Sequence, residues 1–339
     1  MSAFRLAAAG AALATTFAAT FGATFGATFG AAAHGPPGRP GPPREGYVPA
    51  TDSVRLYYRV VGTGPDTLIA IHGGPGVDLE SIAADFAPLA AHHTVIFYDQ
   101  RGAGRSTLPR DTTTLTAARQ VDDLDAVRRY FGLARTTLVA HSYGPLLAAS
   151  YAIAHPAAVR RMVFFGAVPP VRGALWQRMG ATMAARLDST QRTALDAAQR
   201  RLDAPGASGA EIRAACQAYW AIALRPRLAD PDRSLPLVRS DLCASDPAGI
   251  RYGLATTNRL VMGSYGAWDL TPRLGVVQAP TLVVHGEEDA IPIDLVARWA
   301  TALPHATLLR VPNAGHFPYV EQPDVVWPAV ERFLAAPAS

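Results

Sequence analysis

Short apolar runs alternate with helical stretches along most of this chain, and that rhythm restricts its folding more than any other feature. The runs at 67–73, 93–100, 136–142, 160–168, 279–286 and 306–312 are short and rich in β-forming apolar residues, and the 93–100 run is apolar on both faces. A strand apolar on both faces must be covered on both, and strands separated by helices pair in parallel. The expectation is an α/β fold, a mostly parallel sheet covered by helices, with its core in residues 48–169 and 270–339. VRLYYRVVG (54–62) adds an early strand, and TLTAARQVDDLDAVRRYFG (114–132) reads as an amphipathic helix stopped at Gly132. The rhythm lapses over 170–269, where the text is helical and irregular and holds Trp176, Tyr219 and Trp220. An insertion of that kind predicts a helical lid above the strand ends, where open α/β sheets bind their ligands.

LVAHSYGPLLAAS (138–150) raises the chemical question. Its apolar run breaks at His-Ser-Tyr-Gly and resumes at once as a helix with Pro145 in the first turn. AHSYG (140–144) matches G-x-S-x-G with Ala140 in place of the first glycine. Small residues on both sides let strand and helix approach closely, and the tight turn pushes the Ser142 hydroxyl out above the sheet. The amides that open the helix are suited to developing negative charge. A nucleophilic serine needs a base and an orienting acid, which in this strand–turn–helix setting follow in the order Ser, acid, His. Asp289 stands just past the 279–286 run and His316 just past the 306–312 run. Glu287 and Glu288 are alternative acids, but Asp289 closes the loop that Gly286 opens, and its shorter side chain suits a fixed imidazole. HGGPG (72–76) follows the 67–71 run, and its glycines let backbone N–H groups turn inward. The Gly74 and Tyr143 amides would then share the oxyanion of a tetrahedral intermediate. His72, His141 and His285 flank these motifs as structural residues, and Asp99, Arg101 and Arg105 in the 98–107 loop read as a salt-bridged brace.

HGGPG, FYDQRGAGRS (97–106), the SYG elbow at Ser142 and WDLTPRL (268–274) leading into APTLVVHGEED together resemble the α/β-hydrolase family, and within it the prolyl iminopeptidases. The resemblance covers about residues 48–168 and 265–335. It implies a serine hydrolase working through an acyl-enzyme, without a cofactor, that releases an N-terminal residue, proline preferred, from short peptides. It also implies lid carboxylates that grip the free α-amine. QAYWAIAL (217–224) has Ala221 where such an acid is expected, and NRLVMG (258–263) has Arg259. Glu211, Asp230, Asp232 and Asp241 remain as substitutes, with Trp220 as a pocket wall, while Arg259 would instead attract a carboxylate. Two rival readings follow from the same text. One is a carboxylesterase, lactonase or small-amide hydrolase of this fold. The other is a non-catalytic binding protein, against which the complete nucleophile–base–acid set stands.

The resemblance implies a small molecule or short peptide as the partner, and composition argues against nucleic acid. The net charge is +4 and the basic residues are all arginine, scattered without a stripe interleaved with aromatics, which excludes a nucleic-acid surface. Residues 1–33 combine Arg5, a long uncharged run and the small residues Ala31, Ala32 and Ala33. They read as an export signal, and the Gly and Thr content argues against a lasting membrane span. The expected location is therefore secreted or periplasmic. Residues 34–47 read as a Pro/Gly-rich tether. The two cysteines, Cys216 and Cys243, are compatible with either a disulfide or two buried thiols, and no metal motif is visible.

Overall fold

The computed structural model describes residues 44–337; residues 1–33, expected as an export signal, and the first part of the expected tether lie outside them. The strands are β1 (Arg44–Pro49), β2 (Arg55–Val61), β3 (Thr67–Ile71), β4 (Thr94–Tyr98), β5 (Thr136–His141), β6 (Val159–Phe165), β7 (Thr281–Gly286) and β8 (Ala306–Val311). They form one sheet in the order β1-β2-β4-β3-β5-β6-β7-β8. β1 and β2 pair antiparallel, as do β2 and β4, and every pair from β4 to β8 is parallel. Residues 44–47, expected in the tether, instead begin β1. Val48 is buried there and Glu45 pairs with Arg59 on β2, so cross-strand contacts hold an edge strand that the Pro/Gly-rich text before it obscures.

Helices α1 (Ala117–Tyr130) and α2 (Gly144–Ala154) pack against one another on the face that holds Leu138 and Ala140 of β5. Val139, between them in sequence, enters the apolar layer on the opposite face. β5 is buried at every position, as expected for a strand in the middle of a doubly covered sheet. That burial places its C-terminal end, and Ser142 after it, at the centre of the sheet rim.

Between β6 and β7 the chain forms α3 (Leu175–Ala185), α4 (Ser189–Asp203), α5 (Gly209–Ala223) and α6 (Asn258–Tyr265). A bridge between Val171 and Asp269 joins the two ends of this inserted segment. Reciprocal capping boxes start two of its helices, Asp188 with Gln191 at α4 and Ser208 with Glu211 at α5. Cys216 and Cys243 are joined by a disulfide, around which Leu202, Ile212, Ala215 and Ile250 form a small core of the lid's own. α7 (Pro323–Ala335) closes the fold behind the sheet. Among the described residues no helix is long and apolar enough to cross a membrane.

Candidate active site

Ser142 occupies the turn between β5 and α2 with φ of 60°, in the left-handed region that a residue with a Cβ adopts at a cost of about 1–2 kcal/mol. Close packing enforces the turn. A Cβ on Gly144 would sit 2.7 Å from the Ile71 carbonyl oxygen, and one on Gly73 would sit 2.9 Å from the Ser142 Cβ. Strand, elbow and glycine loop thus fit only with small residues at these points, and the serine hydroxyl is left facing the lid.

His316 Nε2 lies 3.0 Å from Ser142 Oγ, and His316 Nδ1 lies 2.9 Å from Asp289 Oδ2. A carboxylate accepts, so Nδ1 carries the proton and Nε2 presents its lone pair to the serine. Asp289 Oδ1 accepts the Ile291 N–H at 3.0 Å. Burial acts to raise the Asp289 pKa, but the His316 and His285 rings and these hydrogen bonds prevail and hold it below the usual carboxylate range. Glu287 and Glu288 point elsewhere: Glu287 pairs with Arg310 at 2.7 Å and Glu288 stands exposed near Arg186. An ionised acid, a neutral imidazole and a hydroxyl in line can move a proton off the serine as it attacks.

The neighbouring histidines are structural. Burial lowers the His72 pKa to about 4, and neutral His72 accepts the Gln100 N–H at its Nε2 (3.1 Å) while facing the Gly73 carbonyl with Nδ1. Burial, with repulsion from His316, lowers His141 to about 3; its Nε2 donates to the His316 carbonyl at 3.1 Å. His285 Nε2 lies 2.9 Å from the Ile291 carbonyl, in the loop that carries Asp289. Arg101 is fully buried and forked onto Asp123 at 2.6 and 2.7 Å, and Asp99 accepts the amides of Leu79 and Arg105. The 98–107 loop braces the glycine loop through His72 and carries none of the reacting groups.

Tyr143 follows the serine directly in the chain. Gly74 lines the pocket, and the Tyr143 side chain is buried with its hydroxyl 2.7 Å from Gln120 Oε1. Among the described residues neither amide has a protein acceptor. The pocket itself encloses about 330 Å³, within the range that holds a small ligand. Trp176, Tyr219, Trp220, Leu224 and Met262 of the lid supply much of its apolar wall.

Two expected pocket residues are not in it. Glu211 is exposed and spent on capping α5, where its Oε2 accepts the Ser208 N–H at 2.8 Å and the Ser208 hydroxyl at 2.7 Å. The Ser-x-x-Glu spacing was the signal for that role. Arg259 is exposed on α6, and its neighbour Asn258 lines the pocket instead, donating to the Pro75 carbonyl at 2.9 Å. Two further residues were missed. Arg227 lines the pocket, and its carbonyl accepts the His316 N–H at 2.7 Å. Glu321, buried, accepts amides from Ala229 of the lid segment and from Gly315 beside His316. HFPYVEQP gave a weak hint of Glu321, and nothing local marked Arg227.

The sheet order with its inserted lid, and the serine elbow facing a histidine held by an acid, define an α/β hydrolase. The chain matches the family described as alpha/beta hydrolase fold over residues 66–323, and it belongs to that family. Within it the resemblance is to the proline iminopeptidases. That of Lactiplantibacillus plantarum is 28% identical over 288 residues, covering 83% of this chain and 97% of the relative. The crystal structure of the Mycobacterium smegmatis proline iminopeptidase superposes with a TM-score of 0.64 at 25% identity, over 86% of this chain and 97% of that one. The structure of VinJ gives a TM-score of 0.67, also at 25% identity, over 86% and 99%.

Proposed function

We propose that this hydrolase works through an acyl-enzyme formed on Ser142. Ser142 Oγ attacks a substrate carbonyl as His316 Nε2 takes its proton, and Asp289 holds the imidazole and stabilises the imidazolium. The Gly74 and Tyr143 amides receive the oxyanion, His316 then protonates the leaving group, and water releases the acyl group by the same steps. The observation that carries this reading is the hydrogen-bonded line from Ser142 Oγ through His316 to Asp289 in the lining of a small pocket. Ser142→Ala should lower kcat by on the order of 10³-fold or more on any substrate the wild type turns over. Turnover by that variant near the wild-type rate would refute the assignment.

For the substrate, we propose release of an N-terminal residue, proline preferred, from short peptides. Support comes from the proline iminopeptidases to which the chain is similar and from the size of the pocket. A second reading, a small ester or amide hydrolase, is favoured by the lid chemistry. Asp230 caps a helical turn through the Arg233 N–H, Asp232 pairs with Arg225, and Asp241 accepts the Cys243 N–H, so none lines the pocket to hold an ammonium group. Parallel rates on proline arylamide, its N-blocked form and a short acyl ester separate the two. The Cys216–Cys243 bridge supports an oxidising, extracytoplasmic location, which the 1–33 segment suggested.

A further inference from the structure

The unspent charge in the pocket is positive. Arg227 lines it with partial solvent access, although protein atoms surround its guanidinium. Among the described residues the guanidinium has one partner, the Ala223 carbonyl, and no carboxylate pairs with it. Buried Arg101, by contrast, is forked onto Asp123. Burial holds the Arg227 pKa below the usual arginine value, with the fields of Tyr219 and Asp289 opposing the shift. Asp289 is committed to His316. A second donor belongs to the same pocket lining: among the described residues the buried indole N–H of Trp220 has no partner. A desolvated guanidinium left without an anion is unfavourable, and its planar fork of N–H groups matches a carboxylate. The hydrogen bond from the His316 N–H to the Arg227 carbonyl fixes the arginine's backbone beside the reacting groups.

We propose that Arg227, with the Trp220 indole N–H, forms an anion subsite that anchors a carboxylate of the substrate. The subsite deepens the hydrolase reading and rests on it. The carboxylate has two possible sources, the C-terminus of a short peptide on the leaving-group side or an acid on the acyl side.

Two substrate pairs distinguish these sources: a prolyl dipeptide against its C-terminal amide, and the p-nitrophenyl hemiester of glutaric acid against p-nitrophenyl pentanoate. In the wild type the carboxylate should raise kcat/KM about tenfold in one pair, mainly through KM, as one charge-assisted pair allows. The responding pair identifies the side. Arg227→Met should bring that ratio to about one, and Arg227→Lys should retain part of it. Because the ratio is taken within each variant, a general loss of activity cancels. Equal rates within both pairs in the wild type, or a preference that Arg227→Met keeps, would overturn the subsite. Fluorophosphonate labelling of Ser142 reports on the hydrolase reading separately. A folded wild type that resists labelling overturns that reading and the subsite with it, whereas labelling without carboxylate preference overturns the subsite alone.

Discussion

Asp78 shows how one side chain ties the lid to the core and makes that tie sensitive to pH. Its Oδ2 accepts the Ser245 hydroxyl from the lid segment, and its Oδ1 accepts the Glu80 N–H at 2.9 Å. Burial pushes Asp78 up to about 6, and burial with repulsion from Asp78 pushes Asp99 up to about 7. These folded-state values lie above those of the unfolded chain, so the native protein holds protons that the unfolded chain has released. Their contribution to stability is therefore full below about pH 4 and is lost as pH rises through about 6 to 7. Asp78→Asn removes the buried charge while its amide can still bond the Ser245 hydroxyl. It should be more stable than wild type at pH 8 by about 1–3 kcal/mol, with the difference shrinking as pH falls and nearly gone below about pH 4, as read from denaturation midpoints. An equal loss at both ends of that range would show that the hydrogen bond, not the charge, decides. At this scale the text was legible where a candidate site residue stands directly after a strand: Ser142, Asp289 and His316 each follow an apolar run and converge. It was misleading where a polar residue serves its own helix, as Glu211 does, and silent on Arg227, whose position depends on how the lid folds back.

Among the elements, the loop bearing His316 depends on neighbours from two directions. The lid segment reaches it through the Arg227 carbonyl, and Glu321 holds the Ala229, Gly315 and Phe317 amides together at 2.8, 2.7 and 3.4 Å. Glu321 is buried, which raises its pKa, and the amides it accepts oppose the shift. Glu321→Ala would leave these donors unsatisfied, at about 1–3 kcal/mol for a buried group. The expected result is a lower denaturation midpoint together with slower fluorophosphonate labelling of Ser142 in the folded variant. Labelling at the wild-type rate would show that the His316 loop keeps its place without the carboxylate. The strands from β3 to β7 were readable as apolar runs because burial on both faces leaves its mark in composition, and β2 and β8, though partly exposed, kept enough apolar residues to be read. β1 was not, since an edge strand needs apolar residues on one face only and this one follows Pro/Gly-rich text. The lid helices were readable as a class, but which of their faces meet the pocket was not, because α4 and α5 pack on one another while α6 packs on α1 of the core.

For the molecule as a whole, the sheet carries the large apolar cores and the inserted segment a smaller one of its own, so the inserted segment is expected to open at lower cost. The core strands bury continuous apolar layers on both faces, whereas the lid has one small cluster built around the Cys216–Cys243 bridge. The loop closed by that bond spans 27 positions and carries Trp220, Leu224, Arg227 and Leu242, all of which line the pocket. Closing a loop of that length restricts the unfolded chain by about 3–4 kcal/mol in the chain-entropy description. The same closure also narrows the arrangements open to the pocket wall. Cys216→Ser with Cys243→Ser should therefore lower stability by an amount of that order. It should also raise amide hydrogen exchange across residues 209–250 far more than in β3 to β7. The segment that loosens holds the Arg227 carbonyl that receives the His316 N–H, so activity should fall with it while the sheet stays protected. Exchange that rises evenly through lid and sheet would instead mean that the two open together, and the bridge would then stabilise the whole fold rather than the shape of the pocket.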